Sequence, residues 1–445
     1  MKRNTEIYLN MIFKILLFLL FLFARTFTGV SIFGFRLGEY LIGGSMLLLV
    51  LYFFIIPLIN KSYYLDSKFL HLVIVALVAA FLLNSFIHSS QLSNLFIFKT
   101  SSYIWSIGAL ILGLEIIKFM NIKVGILDTY LALFGLFVIY VYSTRGISDN
   151  LQNFFLNYTD KFEYPKGSDI LLAFVFVFIF ILNKLKFSKI SFNLISIAFS
   201  LFAPLLMVKS RSAFFSSVIF MILLVPSFKS KIKIFDKKII ITIFLSAIVF
   251  ILSTSWVVSR DLVVDEEITD ELKFAITSRY SSINDNVYEQ EYLKLNLFYF
   301  ENGRIFSTDG NLNWRFQIWQ DIINDLSHSS KFLTGYGYDD IIPAMDSDQR
   351  QGQDRTNINV HNYFFHILSR GGIVAIALVS LFYYFLFKLF KQKNLQLDYF
   401  QITVPLLFNS LFDPCMENAH YPVIFYILLG LTFRKYIIFK EESEN

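Results

Sequence analysis

Three residues combine a charged or protonatable side chain with a setting that favours chemistry. Arg211 lies in a short polar turn, 209–212, between two apolar runs, and Arg315 lies in a long polar segment. His361 comes just before another apolar run, beside Asn362, a candidate for lining a cavity. Arginine can bind an anion through paired hydrogen bonds, and histidine can accept or donate a proton at neutral pH. Each also has an ordinary explanation, because arginines snorkel at helix ends and interfacial histidines are commonly hydrogen-bonded.

Two further groups of polar residues are candidates for contact with a ligand. Tyr336 and Tyr338 belong to a Gly-Tyr-Gly-Tyr segment at 335–338, whose glycines permit a tight turn and close approach of another backbone. Tyrosines commonly stack on sugar rings, although turn formation alone explains this pattern. Asp413 and His420 lie on the last polar loop, where they either line a cavity or are simply solvated.

The composition predicts that an integral membrane protein positions these residues. The chain has 445 residues, of which 56% are hydrophobic and 16% charged, whereas about 25% charge is usual for a soluble domain. The single cysteine excludes a disulfide framework and any multi-cysteine metal site. Cys415 and His420 are spaced like metal ligands, but the sequence has no second Cys/His pair to complete a site. We therefore expect neither a metal nor a cofactor.

Apolar runs predict an all-α, polytopic fold with about twelve transmembrane helices. A helix needs about 20 apolar residues to cross the hydrocarbon, and fewer where it ends in a cavity lined by protein. The predicted spans are Tyr8–Ala24, Leu41–Ile59, Phe69–Ile87, Tyr103–Ile117, Val124–Val141, Ile170–Leu182, Ile190–Met207, Ala213–Val225, Ile239–Val257, Gly372–Leu389, Phe400–Phe412 and Val423–Phe433.

The distribution of charge predicts the orientation of these spans. Every second loop is basic, which is typical of cytoplasmic loops and places both termini in the cytoplasm. Residues 261–360 instead hold 18 of the 34 acidic residues and only 8 of the 39 basic ones. We therefore predict helices 1–9 over 1–258, a large, partly helical outer loop over 259–360, and helices 10–12 with a cytoplasmic tail over 361–445. Nucleic-acid binding is not expected, because the basic residues occur in short clusters between apolar runs.

The outer loop contains one amphipathic stretch, Asn313–Leu326, whose apolar residues recur at helical spacing. Asn311 or Asn313 can cap this predicted helix, and its tryptophans suit a membrane interface. Arg315 would then lie in the first turn, where the helix dipole disfavours a cation unless an anion is near, from a ligand or from an aspartate.

The segment from His361 to Gly371 is predicted to be helical, with Gly372 almost three turns below His361 on the same face. A glycine there would let a neighbouring helix approach closely. His366 and Arg370 are further candidates for lining a cavity.

With these motifs in order, the chain resembles the O-antigen ligase/polymerase superfamily of bacterial envelope proteins. The matching features all lie on the predicted outer side, mostly in the C-terminal half of the chain, and a short final outer loop with one last helix also fits. They are Ser210-Arg211-Ser212, Arg315-x-x-x-Trp319, Gly335-x-Gly337, Val360-His361-Asn362 followed by Gly371-Gly372, and the acidic and aromatic residues from Asp413 to Tyr421.

The resemblance implies a glycosyltransferase with a GT-C-like fold in the bacterial inner membrane, with its large loop in the periplasm. The donor would be an oligosaccharide on a polyprenyl diphosphate, and the acceptor a sugar hydroxyl. Arg211 and Arg315 would bind the diphosphate without a metal, and His361 would take or orient the acceptor proton. Direct displacement would invert the anomeric centre. The bilayer and a chain-length regulator protein are the other partners that the resemblance implies.

Three functions stay open, and we favour a surface-polysaccharide polymerase. The ligase alternative transfers the glycan to lipid A-core or to a protein, but the family often has a further glycine where this chain has Ala375. A flippase or other carrier is the rival class. Carriers usually place ionisable groups near the membrane midplane, and these spans have few.

Overall fold

The computed structural model describes residues 2–59, 68–88, 90, 95–120, 126–144, 148–159, 162–185, 187–228, 237–264, 298–301, 303–307, 309–347, 350 and 359–444. Most of the basic loops, and residues 265–297 of the predicted outer loop, lie outside these ranges.

Helices dominate the described residues, and strands occur only as two short hairpins. Before the predicted outer loop the elements are α1 (Lys2–Thr28), β1 (Ser31–Ile32), β2 (Phe35–Arg36), α2 (Leu37–Val50), a π-helical turn (Leu51–Ile55), α3 (Ile56–Ile59), α4 (Lys68–Ile87), α5 (Leu95–Thr100), α6 (Ser102–Trp105), α7 (Gly108–Met120), α8 (Ile126–Ser143), α9 (Asp149–Tyr158), α10 (Gly167–Leu185), α11 (Lys189–Lys209), α12 (Arg211–Phe228) and α13 (Lys237–Val264). The remaining elements are β3 (Phe298–Glu301), β4 (Arg304–Ser307), α14 (Gly310–Ser327), a 3-10 turn (Pro343–Met345), α15 (Tyr363–Gln392), α16 (Gln396–Ser410), a second 3-10 turn (Pro414–Glu417) and α17 (His420–Glu444).

The prediction of an all-α, polytopic membrane protein is confirmed. Each of the twelve predicted spans overlaps a described helix. Seven helices within the described ranges are long and apolar enough to cross a membrane, and three shorter apolar helices accompany them. The count of twelve crossings and the GT-C-like arrangement remain predictions.

The chain divides into two compact units. Unit 1 comprises Met1–Val75, Ser102–Val258 and Phe382–Asn445, and unit 2 comprises Ala76–Ser101 and Ser259–Leu381.

The core of unit 1 is built around α10, a helix that is buried on every side over residues 170–175. It contacts α1, α8, α11 and α12. The Phe174 ring lies 4.7 Å from Phe178, 5.8 Å from Phe202 and 6.1 Å from Phe220. In lipid, helices gain nothing from hydrophobic burial against one another, so close packing of this kind holds the bundle together.

Small residues let α7 and α17 cross at short range in the same unit. A Cβ atom at Gly113 would overlap the carbonyl oxygen of Ile427, and one at Gly430 would lie 2.9 Å from the Gly113 Cα. Glycine is therefore required on both helices, in the manner of small-residue contacts between transmembrane helices.

In unit 2, α14 packs on the β3–β4 hairpin. The strands are antiparallel, with Phe298 opposite Ser307 and Glu301 opposite Arg304. The Phe298 and Phe316 rings lie 5.8 Å apart, and the Ile305 amide donates to Gln320 Oε1 at 2.7 Å. The hairpin thus covers the N-terminal half of the helix that carries Arg315.

Candidate functional site

Helix α14 positions Arg315, but it begins earlier than the sequence pattern predicts. Asp309 is the N-cap, because its Oδ1 accepts from the Leu312 amide at 3.0 Å. The predicted caps, Asn311 and Asn313, are both wrong because they lie inside the helix, and the Asn313 Oδ1 accepts from the Ser307 amide at 3.2 Å instead. Arg315 consequently lies in the second turn and is half-buried. The helix dipole, which acts mainly in the first turn, therefore does not disfavour its charge as predicted.

The apolar face of α14 is buried in protein, contrary to the expectation of an interfacial helix. Ile318, Ile322 and Leu326 are all buried, as the helical spacing requires. Trp319 stacks on Phe365 at 5.4 Å, and its indole nitrogen donates to the Val360 carbonyl at 2.8 Å. Trp319 therefore ties the segment before α15 to the helix that carries Arg315.

His361 directly follows Val360, whose carbonyl accepts from Trp319. Its φ of 54° is left-handed, which is uncommon outside glycine and is often found where function requires it. Its half-buried ring lies 5.1 Å from the ring of Trp314, at 73°. Trp314 directly precedes Arg315, so two of the three predicted catalytic residues lie on segments that touch.

Asn362 caps α15, which therefore begins at Tyr363 rather than at His361. The Asn362 Oδ1 accepts from the Phe364 amide at 2.9 Å and from the Phe365 amide at 3.1 Å. Because this side chain is buried and used in the cap, it fixes the position of His361. A role for Asn362 in lining a cavity remains a prediction.

Helix α15 is broken at Gly372, whose φ is 66° and ψ −166°. The prediction that Gly372 lies below His361 on one continuous helix is therefore wrong. A Cβ atom at Gly372 would overlap the Leu333 carbonyl oxygen and lie 2.6 Å from the Gly335 nitrogen. The close approach that this glycine permits is made to a loop and not to a neighbouring helix.

The loop at 332–337 satisfies the backbone groups that the break exposes. The amides of Tyr336 and Gly337 donate to the carbonyls of Ser369 and Arg370 at 2.8 and 3.0 Å. After the break, the amides of Ile373 and Val374 donate to the carbonyls of Phe332 and Leu333 at 3.1 and 3.3 Å. Gly335 and Gly337 have positive φ angles of 71° and 87°. The predicted tight turn and close backbone approach are both confirmed.

Two polar residues of α15 that were candidates for lining a cavity are buried in unit 2. The Arg370 guanidinium donates to the carbonyls of Gly337 and Asp340. The His366 ring donates from Nε2 to the Thr100 carbonyl at 2.7 Å. Neither Thr100 nor Asp340 is near its partner in sequence, and no local pattern could have revealed these contacts.

The two tyrosines of the turn differ in their surroundings. Tyr338 is buried, its ring lies 5.1 Å from Phe81, and its carbonyl accepts from Thr100 Oγ1 at 2.6 Å. Tyr336 is half-buried, with the Lys331 ammonium 5.0 Å from the centre of its ring. Whether they also line a cavity remains a prediction.

The surroundings of this turn shift the pKa values of His88, Asp325 and Tyr336 towards the neutral form of each side chain. Burial, and then the Lys331 charge, lower the pKa of His88, so its ring is neutral at pH 7. Burial, and then the charge of Asp321, raise the pKa of Asp325. Burial also raises the pKa of the Tyr336 hydroxyl, with a further contribution from Asp325.

Unit 1 contains Arg211, at the junction of α11 and α12. Only Ser210 separates the two helices, as the polar turn predicts. The Ser210 and Ser212 hydroxyls lie 2.9 Å apart, and Ser212 Oγ donates to Asn409 Oδ1 at 3.1 Å. A Cβ atom at Gly167 would lie only 2.5 Å from the Ser210 Cβ. The backbone on each side of the exposed Arg211 is therefore held in place.

The same end of unit 1 holds a buried pair, His420 and Asp169. His420 Nε2 donates to Asp169 Oδ1 at 2.8 Å, and Asp169 Oδ2 also accepts from the Lys166 amide at 3.0 Å. The pair joins the start of α17 to the start of α10. Sequence inspection found His420 but missed Asp169, which lies 251 residues away.

Next to this pair, the last predicted outer loop forms a 3-10 turn that begins after Asp413. Cys415 in this turn is fully buried, and burial, followed by the charge of Asp413, raises the pKa of its thiol. The Asn409 amide nitrogen lies 3.6 Å from this sulfur. Asp413 itself is half-buried. The cavity-lining role of Asp413 and His420 remains a prediction.

The predicted catalytic residues are thus divided between two units. Arg315 and His361 belong to unit 2 and Arg211 to unit 1, so the convergence of all three remains a prediction. In the described part of the chain, no three His, Cys, Asp or Glu side chains are grouped as ligands for a metal ion.

Comparison with known proteins supports the family resemblance. Residues 195–380 match a family model described as O-antigen ligase. This stretch begins in α11, ends in α15, and includes Arg211, Arg315 and His361. No curated protein gives a significant match to the chain.

Proposed function

We propose that this chain, whose residues 195–380 match a family model described as O-antigen ligase, is a surface-polysaccharide polymerase. It would join oligosaccharide repeat units carried on polyprenyl diphosphate at the outer face of the bacterial cytoplasmic membrane. The observation that carries the proposal is the placement of His361. Its left-handed backbone precedes the capped start of α15, and its ring packs on Trp314, the neighbour of Arg315.

The chemistry of this transfer fits the charges of these residues. An acceptor hydroxyl attacks the anomeric carbon of the donor, and the bond from that carbon to the diphosphate oxygen breaks. Negative charge then grows on the diphosphate, where arginine can stabilise it through paired hydrogen bonds. Arg315 is half-buried, so its charge is less screened than in bulk water. Arg211 is the second cation proposed for this role.

The proton of the acceptor hydroxyl passes to His361 in this scheme. A positioned general base typically contributes a factor of about 10²–10⁴ to the rate. The carbon is attacked from the side opposite the leaving diphosphate, so the new linkage has the inverted configuration. No step requires a metal ion, since arginines supply the positive charge.

A polymerase is favoured over a ligase for one reason in this sequence. Helix α15 breaks at Gly372, and Ala375, three residues later, is buried within the regular helix that follows. The family often has glycine there. The ligase alternative is favoured by the description of the matching family model. The two reactions differ in the acceptor, which is a second lipid-linked glycan for a polymerase and lipid A-core or a protein for a ligase.

Deletion of the gene separates these functions when surface glycan is examined on a gel. A polymerase mutant should carry single repeat units on its lipid A-core. Undecorated core together with accumulated lipid-linked polymer would identify a ligase. Loss of all outward-facing glycan intermediates would identify a flippase and would overturn the proposal of a glycosyltransferase.

Substitution of the proposed catalytic residues tests the mechanism. His361→Ala and Arg315→Ala should each abolish chain extension in the deletion strain, because proton transfer or charge stabilisation is lost. Polymer length is measured on a gel, with protein abundance measured by immunoblot of the membrane fraction. His328→Ala is the matched control, since this histidine is exposed and bonds the end of its own helix. Normal polymer in either test variant would remove that residue from the mechanism.

A further inference from the structure

A short hairpin in unit 1 projects an apolar side chain from its tip. Strands β1 and β2 pair Ser31 with Arg36 and Ile32 with Phe35. The two tip residues, Phe33 and Gly34, have positive φ angles of 52° and 83°. Asparagine, aspartate or glycine usually occupy both positions of such a turn, and a bulky residue there is strained. Phe33 nevertheless occupies the first position with its side chain 94% exposed.

The hairpin is held firmly against α2. The Tyr40 hydroxyl donates to the Ile32 carbonyl at 3.1 Å, and the Leu37 amide donates to the Val30 carbonyl at 2.9 Å. The rings of Phe35 and Tyr40 lie 6.0 Å apart in an edge-to-face arrangement. These contacts fix the direction in which the tip projects.

Helix α9 presents a second exposed apolar face near the same hairpin. An isolated antiparallel bridge between Val30 and Thr159 joins the base of the hairpin to the end of α9. Leu151, Phe154 and Tyr158 recur at helical spacing, and the last two are 52% and 58% exposed. Asn150, Asn153 and Asn157 lie on the neighbouring face of the helix, away from the buried Phe155, and Leu156 beyond them is 53% exposed. Phe155 anchors α9 to unit 1, with its ring 4.5 Å from that of Phe23.

The exposed apolar surface continues from the hairpin onto a predicted transmembrane helix. Tyr40 is exposed at the start of α2, and Leu47, two turns further along the same face, is 59% exposed. The segment Leu37–Ile55 is long and apolar enough to cross a membrane. Leu47 would therefore face lipid. Tyr40 extends that surface to the start of α2, and Phe35 and Phe33 extend it beyond the helix. Aromatic side chains at this level are typical of a membrane interface.

We propose that the β1–β2 hairpin and α9 are an interfacial anchor, inserted into one leaflet of the bilayer. Phe33, Phe154 and Tyr158 would lie at the boundary between the headgroups and the acyl chains. The asparagine face of α9 would point to water. The anchor would lie on the side of the membrane that the charge pattern predicts to be extracytoplasmic, so segments that look like aqueous loops would lie within the bilayer surface.

Spin-label accessibility tests the anchor in the full-length chain. Single cysteines are introduced as Phe33→Cys and Phe154→Cys, with Asn153→Cys as the control about 100° around the same helix. Leu47→Cys provides the reference for lipid. The wild-type chain serves as the blank, because its one cysteine, Cys415, is buried. Each protein is labelled and reconstituted into phosphatidylethanolamine–phosphatidylglycerol vesicles.

We expect labels at 33 and 154 to collide with oxygen, which partitions into lipid, and to be protected from an aqueous nickel chelate, as the label at 47 is. The label at 153 should show the reverse. If the labels at 33, 153 and 154 contact the nickel chelate equally, the anchor does not exist. Protection of 33 and 154 from both reagents would overturn the proposal in favour of a protein partner or a second copy. Unchanged elution in size-exclusion chromatography confirms that each variant is folded.

Discussion

Asp169 and His420 are far apart in sequence but form a buried hydrogen-bonded pair at the starts of α10 and α17. Burying a carboxylate is costly unless its partners remain, so removing one partner leaves an unpaired polar group in the core. The pair therefore matters to the integrity of unit 1 whether or not it also lines a cavity.

We expect Asp169→Asn and His420→Ala to destabilise the protein by about 3–5 kcal/mol each, the usual cost of breaking a buried pair. Thermal unfolding in detergent measures the loss, and the double variant should cost less than the sum of the single ones. Glu163→Gln is the control, because the Arg25–Glu163 pair at 3.1 Å is partly exposed and should contribute at most about 1 kcal/mol. Equal effects at the two pairs would contradict the expected importance of burial.

Candidate site residues could be selected from the sequence by residue type, but the contacts that hold them could not. Arg211, Arg315 and His361 were selected because their side chains can bind an anion or exchange a proton, and all three are predicted to lie on the outer side. The contacts of Ser212 with Asn409 and of His366 with Thr100 connect positions 197 and 266 residues apart. Such pairs carry no periodicity, so nothing in the sequence distinguishes them from other polar residues.

At the scale of elements, helix α15 shows how a glycine in an apolar run can be misinterpreted. Gly372 was expected to lie in a continuous helix, but it has a left-handed φ and the 332–337 loop bonds both sides of the break. Helix periodicity, by contrast, predicted the apolar face of α14 correctly. The start of α14 was misplaced because Asp309 and Asn313 are both good capping residues, and the tertiary contact of Asn313 with Ser307 decides between them.

The break at Gly372 predicts a large effect for a small substitution. Gly372→Ala should destabilise the protein by at least about 1–3 kcal/mol, the range for a residue held in a disfavoured conformation, because the added methyl group also overlaps the Leu333 carbonyl. Thermal unfolding in detergent is the measurement. Gly43→Ala in α2 is the matched control, since its Cβ would meet nothing within 4 Å and alanine is favoured in a helix. A Gly372→Ala variant as stable as the control would show that the break is not needed.

At the scale of the whole molecule, hydropathy and charge predicted the all-α membrane fold because the bilayer leaves so few alternatives. A spanning segment must satisfy its own backbone hydrogen bonds, so long apolar runs become helices. The division of the chain into two units was not predictable in this way. Unit 2 combines 76–101 with 259–381, and packing between segments so distant in sequence leaves no trace in hydropathy.

The predicted topology can be tested with paired reporter fusions. Alkaline phosphatase fused after Ser148 or Val264 should be active, and green fluorescent protein at those positions should be dark, because both sites are predicted to be extracytoplasmic. Fusions after Phe228 and at the C-terminus should give the opposite result. Cytoplasmic reporter activity after Val264 would place the segment before Arg315 on the wrong side for a lipid-linked donor exported across the membrane.

The one-residue link between α11 and α12 has a consequence for how the protein is made. With Ser210 as the only link, neither helix can shift far across the bilayer without moving the other. On the predicted topology, we expect the two helices to enter as one helical hairpin that carries the cations of Lys209 and Arg211 across at its turn. A substitution that weakens the insertion of either helix should then impair the insertion of both.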